Sequence, residues 1–547
     1  MQYIVPNIMT QQKVHPDSED FDLCIIGGGA SGAGCALDAA LRGLKVVLIE
    51  ADDFAAGTSS HSTKLIHGGV RYLEQAFMQL DFAQLRQVRH GLHERHILLK
   101  NAPHLARPLA LITPVRTWVE GLYYTIGLKV YSWFAARKDT LPASDWLTKA
   151  QTLATIPTLN PKLHSAIKYY DGQFDDARFA LALALSAAKA GATVINHTRA
   201  IEFRHDLDGK VTSLNVVNQI SGEKSIIKAT LFLNCTGPHA DTIRQLANPN
   251  LLPRIRPSKG VHITLPRSIM PSDAALLIPK TRDGRLIFAI PFGGKVILGT
   301  TDDDCTDLAA EPRVNADEVA YLLETLQPYL AVPIEAQMVE AGFGGLRPLI
   351  IAAEKQTKAL LRDHEVAYDP QSNLFSLLGG KWTTYRLMAH DAIDQICQKC
   401  QHDAPCTTEN HILIGGHQTP KQLHQTIKNT NLPDDILAHL IQNYGDQIHV
   451  ILQIIAKDNV LRQRILPEWP FIEAEVIYTV RHEMAKTVRD FLARRIRLEI
   501  LDWQAAAKAT PIVANLMTLE IGWSDAHRNQ ETEKYLELLA SLQRQIK

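Results

Sequence analysis

A chain of 547 residues is too long for one compact core, so two or three domains are expected, and 46% hydrophobic residues are enough to fill them. Lysine plus arginine (57) nearly cancel aspartate plus glutamate (58), which excludes the global field that gathers nucleic acid, so any anion must be bound locally. Seven cysteines at irregular spacing and no apolar signal peptide before Asp22 point to free thiols in a reducing, cytoplasmic setting.

In chain order, residues 1–20 read as a tail, because Asp17, Glu19 and Asp20 without arginine are the wrong chemistry for a transit peptide. Residues 21–26 read as a buried strand, 33–42 as a helix and 45–50 as a second strand, which makes a βαβ unit. Residues 82–159 read as mostly helical. The nearest approach to a membrane span, 115–134, is broken by Arg116, Glu120 and Lys129, so no spanning helix is expected. A helix over 177–190 and a strand over 192–195 are joined by Gly191, and alternating strands over 211–229 lead to an apolar strand at 231–234. Several short strands fill 262–300, another apolar strand spans 374–378, and from about 410 the chain turns helical after Gly415, Gly416 and Pro420.

Gly27, Gly29 and Gly32 form G-x-G-x-x-G between the first strand and its helix, and Glu50 closes the next strand. Gly27 allows the tight turn, Gly29 lets a pyrophosphate approach the backbone, and Gly32 lets helix and strand pack, while Glu50 is placed for ribose hydroxyls. The pattern alone leaves NAD and FAD open. The polar stretch Thr58-Ser59-Ser60-His61-Ser62-Thr63-Lys64, followed by Leu65-Ile66-His67-Gly68-Gly69, suits the longer cofactor, FAD. Downstream, Gly379-Gly380-Lys381-Trp382-Thr383-Thr384 again ends a strand and opens a helix, aiming a positive helix end at the flavin pyrimidine and favouring the anionic reduced flavin. The fold class expected is α/β, with a Rossmann-like FAD-binding domain (21–81, 166–240 and 341–400), an inserted α+β substrate or cap domain (82–165 and 241–340) and a C-terminal helical domain (410–547).

Between about 21 and 388 the chain resembles the FAD-dependent glycerol-3-phosphate dehydrogenases of respiratory chains. The resemblance rests on TSSHSTKLIHGGVRYLE (58–74), YYDGQFDDAR (169–178), NCTGP (234–238), KGVHI (259–263), GTTD (299–302), GGLRPL (344–349) and GGKWTTYR (379–386). It implies oxidation of sn-glycerol 3-phosphate to dihydroxyacetone phosphate by hydride transfer from C2 to flavin N5, with electrons passing to a ubiquinone-type acceptor. It also implies a peripheral protein on a membrane surface, here expected at the cytoplasmic face of a bacterial inner membrane. Two departures stand out: Cys235 follows Asn234 where the family has alanine, and no D-x-D-x-D-G loop follows, so calcium regulation is not expected.

The matched positions imply a phosphate-binding set of Arg71, Tyr72, Arg347, Arg362 and Lys381, and His262 as base or carbonyl-orienting group; Arg347 or Lys381 could instead stabilise the forming alkoxide. The expected cofactor contacts are Gly27, Gly28, Gly29, Gly32, Glu50, Thr58, Ser59, Ser60, Ser62, Lys64, Leu65, His67, Gly237, Gly380, Lys381 and Thr383. Trp118, Tyr123, Tyr124, Tyr131, Trp133 and Phe134, mixed with Arg116, Lys129, Arg137 and Lys138, read either as an interfacial surface or as a buried helix pair. No metal is expected: Cys397 and Cys400, near His402 and Cys406, continue a helical pattern, and Asp302, Asp303, Asp304 and Asp307 read as a solvated turn. Rival readings are an oxidase using oxygen and a non-redox FAD-binding scaffold, and a homodimer is left open.

Overall fold

The computed structural model describes residues 20–68, 82–122, 141–279, 281, 284–305, 307–308, 310–351, 364–427 and 430–546. Arg71, Tyr72, Arg362 and residues 123–140 of the aromatic stretch lie outside them.

The apolar run β1 (Asp20–Ile26) leads through Gly27 into α1 (Ala30–Leu41) and β2 (Val46–Ile49). The α1 sequence, ASGAGCALDAAL, is made of small residues and is almost wholly buried, so the helices Asp176–Lys189 and Tyr385–Cys400 pack closely against it. The first sheet runs in the order His364–Asp369, Leu374–Gly379, Lys224–Asn234, β1, β2, Thr193–Ile195, with the antiparallel strands Thr198–His205 and Val211–Asn218 appended. Its parallel register aligns Ile26 with both Ile49 and Asn234, Asn234 with Ser376, and Ile49 with Ile195. Gly27, Glu50, Asn196 and Cys235 therefore leave the sheet together at its carboxyl edge, where open α/β sheets bind ligands.

Among the described residues the second sheet has ten strands and is mainly antiparallel. Ile255–Pro266 pairs with both Lys295–Gly299 and Ala341–Ile350, so it ties the cap to the segment that returns toward the first sheet. Leu65–Ile66, Ser165–Phe174 and Ala341–Ile350 all pair into this sheet, although they fall in or beside the ranges expected for the cofactor domain.

Residues 82–159 depart from the helical expectation. Helices Phe82–Asn101 and Lys149–Thr155 flank the strands Ala106–Val115 and Asp145–Thr148. Ala106–Val115 pairs along its length with Ser165–Phe174 and meets Ala275–Ile278 on its other edge. A short run buried on both faces carries no period that separates strand from helix, whereas Pro108 and Pro114 do argue against a helix.

Beyond the helix Tyr385–Cys400, the chain folds into helices that enclose their own core around Val476, Phe491, Leu492, Trp503, Met517 and Tyr535. No described helix is long and apolar enough to cross a membrane.

Candidate active site

The first turn is shaped by what its glycines leave out. Gly27 sits at φ +108°, and a Cβ there would lie 2.8 Å from the Cys235 carbonyl oxygen. A Cβ on Gly32 would collide with the Gly27 carbonyl oxygen, so only glycine lets α1 start this close to β1. The Gly28 N–H donates to one Glu50 carboxylate oxygen at 2.6 Å and the Asp52 N–H to the other at 2.9 Å. Burial raises the Glu50 pKa, against those two bonds, and each oxygen keeps lone pairs for further donors. At the α1 N-terminus Ser59 Oγ accepts from the Ala30 N–H at 2.9 Å, which holds the polar stretch against the turn.

That stretch is also tied to the later glycine pair. Gly379 and Gly380 adopt φ +67° and +87°, and the Trp382 Nε1–H that follows donates to the Ser59 carbonyl at 2.8 Å. The edges of Phe174 and Phe179 pack on Trp382, with centroids 4.9 and 5.6 Å away. The two loops consequently form one rigid wall.

Between them lies a cleft of about 1540 Å³, lined by Gly27, Gly29, Glu50, Thr58, Ser59, Gly237, Gly380 and Lys381 among others. Other expected cofactor contacts stand behind this lining. Gly28 and Gly32 shape the turn. Ser62 donates to Asp176 through its N–H (2.9 Å) and hydroxyl (2.7 Å), and Leu65 and Thr383 are buried. Lys64 is fully buried, its Nζ donating to Asp176 (2.7 Å) and to the carbonyls of Ser60 (2.8 Å) and Ser62 (3.1 Å); burial lowers its pKa to about 8. Ser60 is buried beside it, and His67 is exposed at the end of the short strand.

Of the expected substrate contacts, His262 and Arg347 lie outside the cleft lining; His262 is buried, stacked on Phe343 with centroids 4.8 Å apart, and its Nε2 lies 3.0 Å from Thr63 Oγ1. Burial first, then Lys64 and Arg347, hold its pKa well below the usual histidine range, so the ring is neutral. Its Nδ1 is buried without a hydrogen-bond partner among the described residues. Arg347 pairs with Ser258 and its guanidinium reaches over Gly260, where a Cβ would come 2.7 Å from the guanidinium carbon, so glycine makes its slot. Arg347 donates to Asp302 (3.0 Å), Thr300 Oγ1 (3.1 Å) and the Thr301 carbonyl (3.0 Å). Asp302 pairs with Arg347 and Asp304 with Arg256, while Asp302, Asp303, Asp304 and Asp307 all remain exposed to solvent.

Two features escape sequence reasoning. His61 lines the cleft; its Nδ1 faces the Gly57 carbonyl at 2.7 Å and therefore carries the proton, leaving Nε2 as a lone pair, and burial lowers its pKa to about 4. The C-terminal segment RDFLARRIR (489–497) also plugs into the other domains. Arg494 and Arg495 bind Asp53, while Arg497 donates to the Ser60 carbonyl (2.7 Å) and Asp176 (3.1 Å). Asp53, His197 and Asp490 are the one group of described acids and histidines close enough to hold a metal ion, but Arg494 and Arg495 already pair with its carboxylates.

The glycine turn, the half-buried acid just past β2 and the long cleft define an FAD-dependent oxidoreductase, and the family model described as FAD dependent oxidoreductase matches residues 22–385. A second model, the C-terminal domain of alpha-glycerophosphate oxidase, matches residues 406–528. The chain is 40% identical to a probable mitochondrial glycerol-3-phosphate dehydrogenase of Dictyostelium discoideum, covering 97% of this chain and 86% of that protein. It is 38% identical to the mitochondrial glycerol-3-phosphate dehydrogenase of Mus musculus, covering 96% and 74%. The structure of glycerol-3-phosphate dehydrogenase from Bacillus halodurans complexed with FAD superposes with a TM-score of 0.80 at 28% identity, covering 100% of this chain and 99% of that one. The chain belongs to the FAD-dependent glycerol-3-phosphate dehydrogenase family, and its cofactor is FAD.

Proposed function

We propose that this protein oxidises sn-glycerol 3-phosphate to dihydroxyacetone phosphate and passes the electrons to a membrane quinone. Bound FAD supplies the hydride acceptor, at flavin N5. The observation that carries the reading is Arg347, fixed by Thr300, Thr301 and Asp302 on the strand whose Gly344, Gly345 and Leu346 line the cofactor cleft with Lys381. A fixed guanidinium and an ammonium suit a phosphorylated triol and stabilise negative charge as it develops on the C2 oxygen. Arg71, Tyr72 and Arg362 belong to the same proposed set. His262, neutral and anchored by Thr63, is the proposed acceptor of the C2 hydroxyl proton.

Membrane attachment is part of the proposal. Trp118, Val119 and Leu122 are 63%, 57% and 48% exposed, a local apolar surface that fits a headgroup layer. The mitochondrial names of the relatives fit a respiratory membrane, and for this chain we propose peripheral attachment at the cytoplasmic face of a bacterial inner membrane.

The test is anaerobic addition of substrate to the purified yellow protein. Glycerol 3-phosphate is expected to bleach the flavin and glycerol is not, and a quinone analogue is expected to restore the colour faster than oxygen. Faster reoxidation by oxygen would establish the oxidase instead, and no bleaching would leave only a scaffold. Trp118→Ser is expected to reduce sedimentation with liposomes while dye-linked turnover persists.

A further inference from the structure

We propose that the C-terminal helical domain is part of the cofactor site, with Lys486 engaging the phosphate and ribose oxygens of the ADP half of FAD. The inference rests on the cofactor reading above and extends it to a domain outside the dinucleotide fold.

Lys486, Thr487 and Arg489 line the same cleft as Gly27, Glu50 and His197. Their backbone is fixed there. Asn196 Nδ2 bridges the Met484 carbonyl (2.9 Å) and Asp53 (3.0 Å). Asp490 accepts from the Lys486 and Thr487 N–H groups (2.9 and 3.0 Å) and faces His197 Nε2 at 2.9 Å. Asn196 and His197 follow Thr193–Ile195, the strand beside β2, and the Glu50 N–H donates to the Ile195 carbonyl at 2.9 Å. The segment is therefore anchored at the end of the cleft where Glu50 receives ribose.

The charges on this wall are not equivalent. Arg489 is held by Glu311 and Glu499, and Arg494 by Asp53 and Asp490. Among the described residues no hydrogen bond or ion pair engages the Lys486 ammonium, which is half-buried and feels Asp490 and Asp53 only at longer range. Burial lowers its pKa, and a bound anion reverses that effect. Asp53 and Asp490 are matched by Arg494 and Arg495, which are thereby committed, so it is the Lys486 charge on this wall that is left to meet a dinucleotide phosphate.

The experiment is a fluorescence titration of the apoprotein with FAD, repeated with ADP as competitor. Lys486→Met is expected to raise the Kd for FAD about tenfold and to weaken ADP by the same factor, with Lys486→Arg restoring most of both. Equal melting temperatures of the apoproteins would show that the loss is local, and Lys486→Gln serves if the methionine variant does not fold. Unchanged FAD and ADP affinities in the neutral variants overturn the proposal, as does a loss confined to FAD. A wild-type apoprotein that takes up no FAD overturns the parent reading with it.

Discussion

Arg495 grips Asp53 with two bonds, 2.6 and 3.0 Å long, and neither side chain is reached by solvent. Asp53 stands just past β2 of the cofactor fold, Arg495 in the last third of the chain. Removing Arg495 leaves the buried Asp53 to Arg494 and Asn196 and strips away its two-bond partner, so Arg495→Met is expected to cost about 3 kcal/mol, the lower end for a broken buried pair. Urea unfolding of the two proteins measures it, and a loss below about 1 kcal/mol would mean that the site rehydrates freely.

Arg347→Ala and Lys381→Ala are expected to keep FAD and to lose about 2–4 kcal/mol of transition-state stabilisation each, read as kcat/KM with glycerol 3-phosphate. The Arg347 variant also removes the Asp302 pair, so a small accompanying fall in melting temperature is expected for it. Wild-type kinetics in either variant would take that residue out of the site.

The pH profile tests the proton acceptor. A base must be neutral to act, and burial with nearby cations keeps His262 neutral well below the usual histidine pKa, as burial does for His61, at about 4. The kcat of the wild type should therefore hold through pH 6.5 and fall only well below it. An acid limb centred near 6.5 would exclude both rings as the base.

The pH dependence of stability, as distinct from that of turnover, has a source in Glu311. Burial pushes its pKa up, but Arg489, bonded to both carboxylate oxygens at 2.6 and 3.0 Å, overrides this and brings it to about 2. A carboxylate depressed in the folded state binds fewer protons there than when unfolded. Its contribution is complete above its ordinary pKa of 4.5 and is lost as the pH falls toward 2. Glu311→Gln should lower the melting temperature at pH 7 and flatten its decline between those values.

What was legible in the sequence follows from the range of the interactions. Gly27, Gly29, Gly32 and Glu50 were readable because spacing along a strand, a turn and a helix fixes their geometry within one local unit. The pairing of Ala106–Val115 was not, because its partners Ser165–Phe174 and Ala275–Ile278 are distant in sequence. Nothing near RDFLARRIR in the sequence names its partners, and only the fold brings Asp53, Asp176 and Glu311 to its arginines. His61 sits inside a motif noted for its hydroxyls, and nothing nearby in the sequence says that its Nε2 would face a cleft.

The order of strands in the cofactor sheet also sets a timetable for synthesis. One edge of β1 pairs with β2 almost at once, but the other waits for Lys224–Asn234. At ordinary elongation rates that edge is open for roughly 10–40 s. An unpaired apolar strand edge is a template for misassociation, so soluble yield in cells is expected to track the supply of chaperones that shield nascent chains.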